Sequence, residues 1–188
     1  MVAYDDATHV YRERETGRVL PHVTELLERA GWKDSLWYTE EGRVRGRAVH
    51  RMTADYDLGA LDPVVVKSNY KPYLLAHVAA MAVIRPTWSH VETIMARLDL
   101  GFAGRPDRVG LVWDAVSVVD EKTGAKEKSH GIQTALQAIL AEPETHLLAE
   151  SVKRYGLYVT GKGRWKLDPF EDMADMREAR RIVQCYIG

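Results

Sequence analysis

Two aspartates and a lysine are the residues whose types and spacing point most directly to chemistry. Asp107 lies 13 residues before Asp120, and Lys122 follows Asp120 two positions later. Because side chains alternate along a β-strand, Asp120 and Lys122 project from the face that also carries Val116 and Val118. On its own, the second fragment also fits a solvated strand end with a surface ion pair.

The presence of Asp107 upstream favours a metal site. Two neighbouring carboxylates repel each other unless a cation lies between them, and a hard divalent ion with oxygen ligands relieves that repulsion. A lysine beside the ion orients a water molecule and lowers its pKa, while the ion stabilises the charge that develops on a phosphate. We therefore predict that Asp107, Asp120 and Lys122 catalyse metal-assisted phosphodiester hydrolysis.

The same residues resemble a known superfamily. Pro106-Asp107 and Asp120-Glu121-Lys122 match the signature of the PD-(D/E)XK nucleases. The surrounding sequence resembles the RecB-like and lambda-exonuclease-like branch, especially its phage and prophage members. The features that carry this similarity are a glycine-rich approach to the first aspartate, a Thr-Gly pair after the lysine, and an earlier Arg-Gly-x-x-x-His helix, found here at residues 101–107, 123–124 and 45–50.

The resemblance implies an activity and its requirements. It implies a deoxyribonuclease that depends on one or two Mg²⁺ or Mn²⁺ ions, and an exonuclease in DNA recombination, repair or phage DNA processing. DNA is the expected partner, and a homo-oligomer or a phage recombination partner is compatible with the resemblance. Digestion polarity, strand preference, and the choice between exonuclease and endonuclease stay open.

The resemblance also adds metal ligands. It places His50 and Glu92 beside Asp107 and Asp120, although a helical histidine alone is more often a packing residue. An exposed strand glutamate would explain Glu92 equally well. By strand alternation the Glu121 side chain should point away, so that only its backbone carbonyl reaches an ion.

Two glutamines and a set of basic residues complete the predicted site. Gln133 matches the family's helical glutamine and is expected to hold the lysine or a substrate phosphate. Gln137 stands where the family has tyrosine, so the stacking or hydroxyl role of that tyrosine is in doubt, and Gln137 is expected to contact DNA. The predicted phosphate contacts are the stripe Arg43, Arg47 and Arg51 on one helix face, together with Lys126 and Lys128 after the strand. A solvated face with local ion pairs, such as Arg51 with Asp55, is the alternative.

Composition limits the other possibilities. With 46% hydrophobic and 28% charged residues, the 188-residue chain is typical of one soluble globular domain, and its net charge of −1 gives no general attraction to nucleic acid. Cys185 is the single cysteine, which excludes an internal disulfide and a four-cysteine iron–sulfur cluster. The N-terminus lacks the apolar core of a signal peptide, and His77 interrupts the longest apolar run, Leu74–Ile84. We therefore expect no membrane segment and a cytoplasmic protein.

Periodicity and turn residues predict an α/β (α+β) chain with a central mixed β-sheet meander flanked by helices, and the resemblance implies a restriction-endonuclease-like core with an N-terminal helical elaboration. Residues 1–88 are expected to be mainly helical and residues 89–188 to form the catalytic core of a single domain. Apolar residues at helical spacing predict helices over Val23–Ala30, Thr39–Tyr56, Asn69–Ile84, a segment around Ile132–Leu140, and Phe170–Tyr186. Predicted strands are His9–Arg14, Arg18–Leu20, Val91–Leu98, Phe102–Gly110, Leu111–Trp113, Ala115–Lys122, Arg154–Thr160 and Arg164–Leu167.

Two other functions compete with the nuclease. The first is a catalytically weak DNA-binding or assembly protein that keeps the fold, whose marker would be a broken set of acids and lysine. The second is a metal-dependent enzyme that acts on another phosphate ester, which would not need the Arg43/Arg47/Arg51 stripe. The intact set and the stripe favour the nuclease over both.

Overall fold

A computed structural model describes residues 1–6, 8–33 and 39–187, and within these ranges the chain forms ten strands and five α-helices. The helices are α1 (Val23–Arg29), α2 (Glu40–Asp57), α3 (Lys71–Ile84), α4 (Ser129–Thr145) and α5 (Met173–Ile187). The strands are β1 (Val2–Asp5), β2 (Val10–Glu13), β3 (Val19–Leu20), β4 (Thr87–Val91), β5 (Met95–Arg97), β6 (Phe102–Gly104), β7 (Arg108–Val112), β8 (Ala115–Lys122), β9 (Lys153–Val159) and β10 (Trp165–Pro169).

A five-stranded mixed sheet lies at the centre, in the order β10-β9-β8-β7-β4. Strands β8 and β9 are parallel, and the other neighbours are antiparallel. The parallel pair requires a crossover, which α4 provides. Smaller sheets form from β1-β2-β3 and from β5-β6. This confirms the predicted class, a mixed α+β fold whose central sheet is flanked by helices.

Helices cover both faces of the central sheet. Val118 and its neighbour Val119 point to opposite faces because side chains alternate along β8. Val118 belongs to the core formed with α1, α4 and α5, and Val119 belongs to the core formed with α2 and α3. In the part of the chain that the structure describes, no helix has both the length and the apolar content needed to cross a membrane.

Two of the predicted strands are interrupted. The predicted strand Val91–Leu98 is the end of β4, a bend, and β5, because Glu92 has a positive φ of 47° that cannot continue a strand. The predicted strand Phe102–Gly110 divides into β6 and β7 around Pro106, which has no N–H group to donate to a sheet. Strand β1 was not predicted; it is short, and its residues are only half-buried or exposed.

Glycine at position 110 allows β4 to lie against β7. A Cβ added to Gly110 would lie 2.2 Å from the carbonyl oxygen of Thr87. The β4–β7 register shifts nearby, between Trp88 and His90. We predict that Gly110→Ala lowers the free energy of unfolding by about 1–3 kcal/mol, because backbone must move to relieve the clash. Gly46→Ala is the matched control: the added Cβ meets nothing within 4 Å, and alanine in a helix interior stabilises by about 0.5–1 kcal/mol. Urea unfolding of both variants checks this, and equal effects would contradict it.

Candidate metal site

His50, Glu92 and Asp107 form a compact group that could hold a metal ion. One ligand atom from each lies within 4.8 Å of the others. Nδ1 of His50 is 3.4 Å from Oδ1 of Asp107 and 3.6 Å from Oε1 of Glu92. Imidazole nitrogen and carboxylate oxygen are ligands that divalent ions accept.

Three different elements bring these side chains together. His50 lies in the middle of α2, Glu92 directly follows β4, and Asp107 directly precedes β7. The backbone N–H of Glu92 donates to the carbonyl oxygen of Asp107 at 2.9 Å, which ties the two acidic residues together. Glu92 has a left-handed backbone, which is uncommon for a non-glycine residue and is often found at functional sites.

Asp120 and Lys122 lie next to this group on the face of β8 that α4 covers. Oδ1 of Asp120 accepts hydrogen bonds from Nε2 of Gln133 and Nε2 of Gln137, each at 2.9 Å. Lys122 forms an ion pair with Oδ2 of Asp120 and donates to Oε1 of Gln133 at 3.1 Å. In the part of the chain that the structure describes, Oε1 of Gln137 is buried and has no hydrogen-bond donor.

The electrostatics of the site favour a cation. Burial raises the pKa of Asp120, and the charge of Asp107 raises it further. Burial likewise raises the pKa of Glu92, with Asp107 adding to the effect. For His50, burial opposes the charged form, but Asp107 and Glu92 outweigh it and raise its pKa well above the usual value. Neighbouring acids whose pKa values are raised in this way, together with the buried oxygen of Gln137 that lacks a donor within the described ranges, fit a divalent ion.

A ring of buried charges lies on the opposite face of the sheet, directly behind the site. Arg108 contacts Asp57 at 2.6 Å and Glu121 at 3.3 Å, and His77 contacts the same two carboxylates at 3.0 and 3.1 Å. Thr53 lies inside the ring, donating to Oε2 of Glu121 at 2.5 Å and accepting from Nη2 of Arg108 at 2.9 Å. We call Asp57, His77, Arg108 and Glu121 the buried ring.

The acidic and basic members of the buried ring shift one another's pKa values. Burial opposes ionisation of Glu121, but Arg108 and His77 outweigh it and lower the pKa of Glu121 to about 2. Burial also opposes the charged form of His77, but Glu121 and Asp57 raise its pKa. Two basic side chains therefore face two carboxylates, and buried charges are tolerated when they are paired in this way.

The carboxylate of Glu121 belongs to the buried ring and not to the group of potential metal ligands. Its carboxylate is fully buried among His77, Arg108 and Thr53, away from the group of potential ligands. Its backbone N–H donates to Oδ2 of Asp107 at 2.7 Å, so the main chain of Glu121 does face the site. A metal contact through its backbone carbonyl stays a prediction.

A cleft of about 1200 Å³ opens over the potential ligands. Arg47, His50 and Arg51 line it from α2, and Glu92 and Asp107 line it as well. The three arginines of the predicted stripe are exposed, and Arg47 lies 3.5 Å from Glu40.

The two predicted DNA-binding lysines lie over aromatic rings. Nζ of Lys126 is 5.0 Å from the centre of the Phe170 ring, and Nζ of Lys128 is 5.2 Å from that of Trp32. Nζ of Lys126 also contacts Asp168 at 3.2 Å.

Several residues of the site were not identified from the sequence. Nε of Arg105 lies 2.9 Å from Oε2 of Glu92, and its guanidinium lies over the ring of Tyr4. The members of the buried ring were also missed, although a histidine inside the apolar run Leu74–Ile84 was a usable signal for His77. Nothing in the local pattern connects His77 to Glu121, because the contact is long-range.

Comparisons with known proteins find one kind of similarity, a shared fold. No protein-family model matches the chain, and no curated protein matches it. Among solved structures, the chain is similar to the crystal structure of a protein from Eubacterium rectale described as "Putative exonuclease". The identity is 11% and the TM-score 0.51, over 86% of this chain and 70% of that chain. At this identity the similarity shows a shared fold and nothing finer.

The buried ring yields a stability prediction. Arg108→Met removes a cation that two buried carboxylates share, which should lower the free energy of unfolding by about 3–5 kcal/mol. Arg181→Met is the control, because Arg181 pairs with Glu178 on an exposed helix face and should change stability far less. Denaturant unfolding of both proteins is the measurement. If the two variants unfold alike, the buried ring does not stabilise the fold.

Proposed function

We propose that the chain is a divalent-metal-dependent deoxyribonuclease that hydrolyses phosphodiester bonds, and that residues 1–188 act as one nuclease domain. The observation that carries the proposal is the group His50, Glu92 and Asp107, which lines a cleft and has Asp120 and Lys122 beside it. The resemblance of the sequence to PD-(D/E)XK nucleases supports the same activity, as does a fold shared with a protein described as an exonuclease.

Each residue has a defined task in this proposal. His50, Glu92, Asp107 and Asp120 would hold Mg²⁺ or Mn²⁺. When bound, the ion supplies charge stabilisation for the phosphate in the transition state. Lys122 orients the attacking water, and Gln133 holds Lys122 through the hydrogen bond from Nζ to Oε1. The stripe Arg43, Arg47 and Arg51 and the lysines 126 and 128 would bind DNA phosphates.

We further propose an exonuclease, which the resemblance favours, in DNA recombination or repair or in phage DNA processing. End-labelled linear DNA and covalently closed circular DNA, each incubated with Mg²⁺, Mn²⁺ or EDTA, test the activity and its mode. Linear DNA should be degraded with either metal, circular DNA should survive, and EDTA should stop the reaction. Cleavage in EDTA would exclude the metal mechanism. DNA binding without cleavage would favour the weakly active binding or assembly protein.

Substitutions separate the ion ligands from the water-positioning residue. Asp107→Ala and Asp120→Ala should abolish cleavage and weaken Mn²⁺ binding. Lys122→Ala should keep most of the Mn²⁺ affinity while slowing cleavage by roughly 10²–10⁴-fold, because its role is in the transition state. Calorimetric Mn²⁺ titration and single-turnover cleavage are measured on each variant. Wild-type cleavage by Lys122→Ala would remove the lysine from the mechanism.

The arginine stripe is expected to bind DNA without taking part in chemistry. Arg43→Ala/Arg47→Ala should weaken DNA binding and reduce the slope of log affinity against log salt by about one to two units. Turnover at saturating DNA should change little, since uniform binding energy is expressed in KM. Binding is measured in Ca²⁺ at several salt concentrations. An unchanged slope would mean that the arginines pair only with neighbouring acids, as Arg47 does with Glu40.

A further inference from the structure

Gln137 carries a buried side-chain oxygen without a hydrogen-bond donor in the described part of the chain, next to Asp120 of the candidate metal site. Its side chain is only 4% exposed, yet Oε1 has no hydrogen-bond donor among the residues that the structure describes. Gln137 lines the same cleft as His50, Glu92 and Asp107. A buried carbonyl oxygen without a donor is costly, so a group from solvent is needed to satisfy it.

The orientation of the amide is fixed by Asp120. Nε2 of Gln137 donates to Oδ1 of Asp120 at 2.9 Å. A carboxylate only accepts hydrogen bonds, so a flipped amide would place two acceptor oxygens against each other. The oxygen of Gln137 therefore points away from Asp120. Gln133 makes the same contact with Asp120, but its own oxygen accepts from Lys122.

We infer that Oε1 of Gln137 helps to hold the divalent cation, by accepting a hydrogen bond from a water molecule of the ion's hydration shell. The inference rests on the metal site of the proposed function. Mg²⁺ takes six ligands and usually keeps several waters. His50, Glu92 and Asp107 offer three ligand atoms, so water, Asp120 or substrate must complete the shell. Such waters need acceptors, and Oε1 of Gln137 is a buried acceptor without a donor.

Three variants of the full chain distinguish the role of the Gln137 side-chain oxygen from that of its N–H group, which donates to Asp120. Gln137→Leu removes both groups, Gln137→Glu keeps an oxygen but loses the donor, and Gln133→Leu removes an equivalent donor to the same Asp120 oxygen. Gln137→Leu should weaken Mn²⁺ binding roughly 10-fold or more, as losses of outer-shell partners do. Gln137→Glu should bind Mn²⁺ at least as tightly as wild type, and Gln133→Leu should lose clearly less than Gln137→Leu. Calorimetric titration with Mn²⁺ gives the affinities, and thermal unfolding of the metal-free proteins checks folding.

The outcomes are distinct. Equal losses for Gln137→Leu and Gln133→Leu, without recovery in Gln137→Glu, would show that only the donor to Asp120 matters. Wild-type Mn²⁺ affinity in Gln137→Leu would show that the oxygen binds an ordinary buried water, and would overturn the inference while wild-type cleavage stands. If Gln137→Leu does not fold, Gln137→Met replaces it in the same comparison. Failure of the wild-type protein to bind Mn²⁺ or cleave DNA would instead refute the proposed function.

Discussion

The buried ion pair between Arg108 and Glu121 fixes the two strand ends on which the candidate site depends. Arg108 directly follows Asp107, and Glu121 directly follows Asp120. Because neighbouring residues on a strand face opposite ways, Asp107 and Asp120 each have a charged neighbour whose side chain lies on the other face of the sheet. The side chains of Arg108 and Glu121 are fully buried, so their separation is restricted by the cost of leaving either charge unpaired.

The same constraint extends to the helices. Asp57 joins α2 to Arg108, and His77 joins α3 to Glu121. Since His50 lies on α2 as well, the buried ring determines where that histidine stands relative to Asp107. A site built on rigid elements with buried support keeps its geometry better than one built on loops. Glu92 is the exception, and its position depends on the strained bend after β4 and on its hydrogen bond to Asp107.

Each acid of the candidate site has a basic side chain next to it. His50 lies between Asp107 and Glu92, Arg105 contacts Glu92, and Lys122 pairs with Asp120. In the proposed function, Glu92, Asp107 and Asp120 would hold a divalent ion in competition with these basic groups, and Lys122, held by Gln133, would orient water or contact phosphate.

Most of the secondary structure and part of the site could be predicted from the sequence, for physical reasons. Helices α2 and α3 follow from helical spacing and clear end signals, and the shared face of Asp120 and Lys122 follows from strand alternation. The bend at Glu92 could not be predicted, because a left-handed glutamate depends on tertiary contacts. The buried ring and the orientation of Gln137 likewise depend on long-range contacts, which local patterns do not encode.

The candidate metal site is tested most directly by a crystal structure of the protein soaked with Mn²⁺, with diffraction data collected for anomalous scattering. We expect an anomalous peak within coordination distance of the side chains of His50, Glu92 and Asp107, on the Asp120 side of the cleft. The peak should disappear in Asp107→Ala crystals. A structure with the fold intact, Mn²⁺ in excess and no anomalous density among these three residues would contradict it.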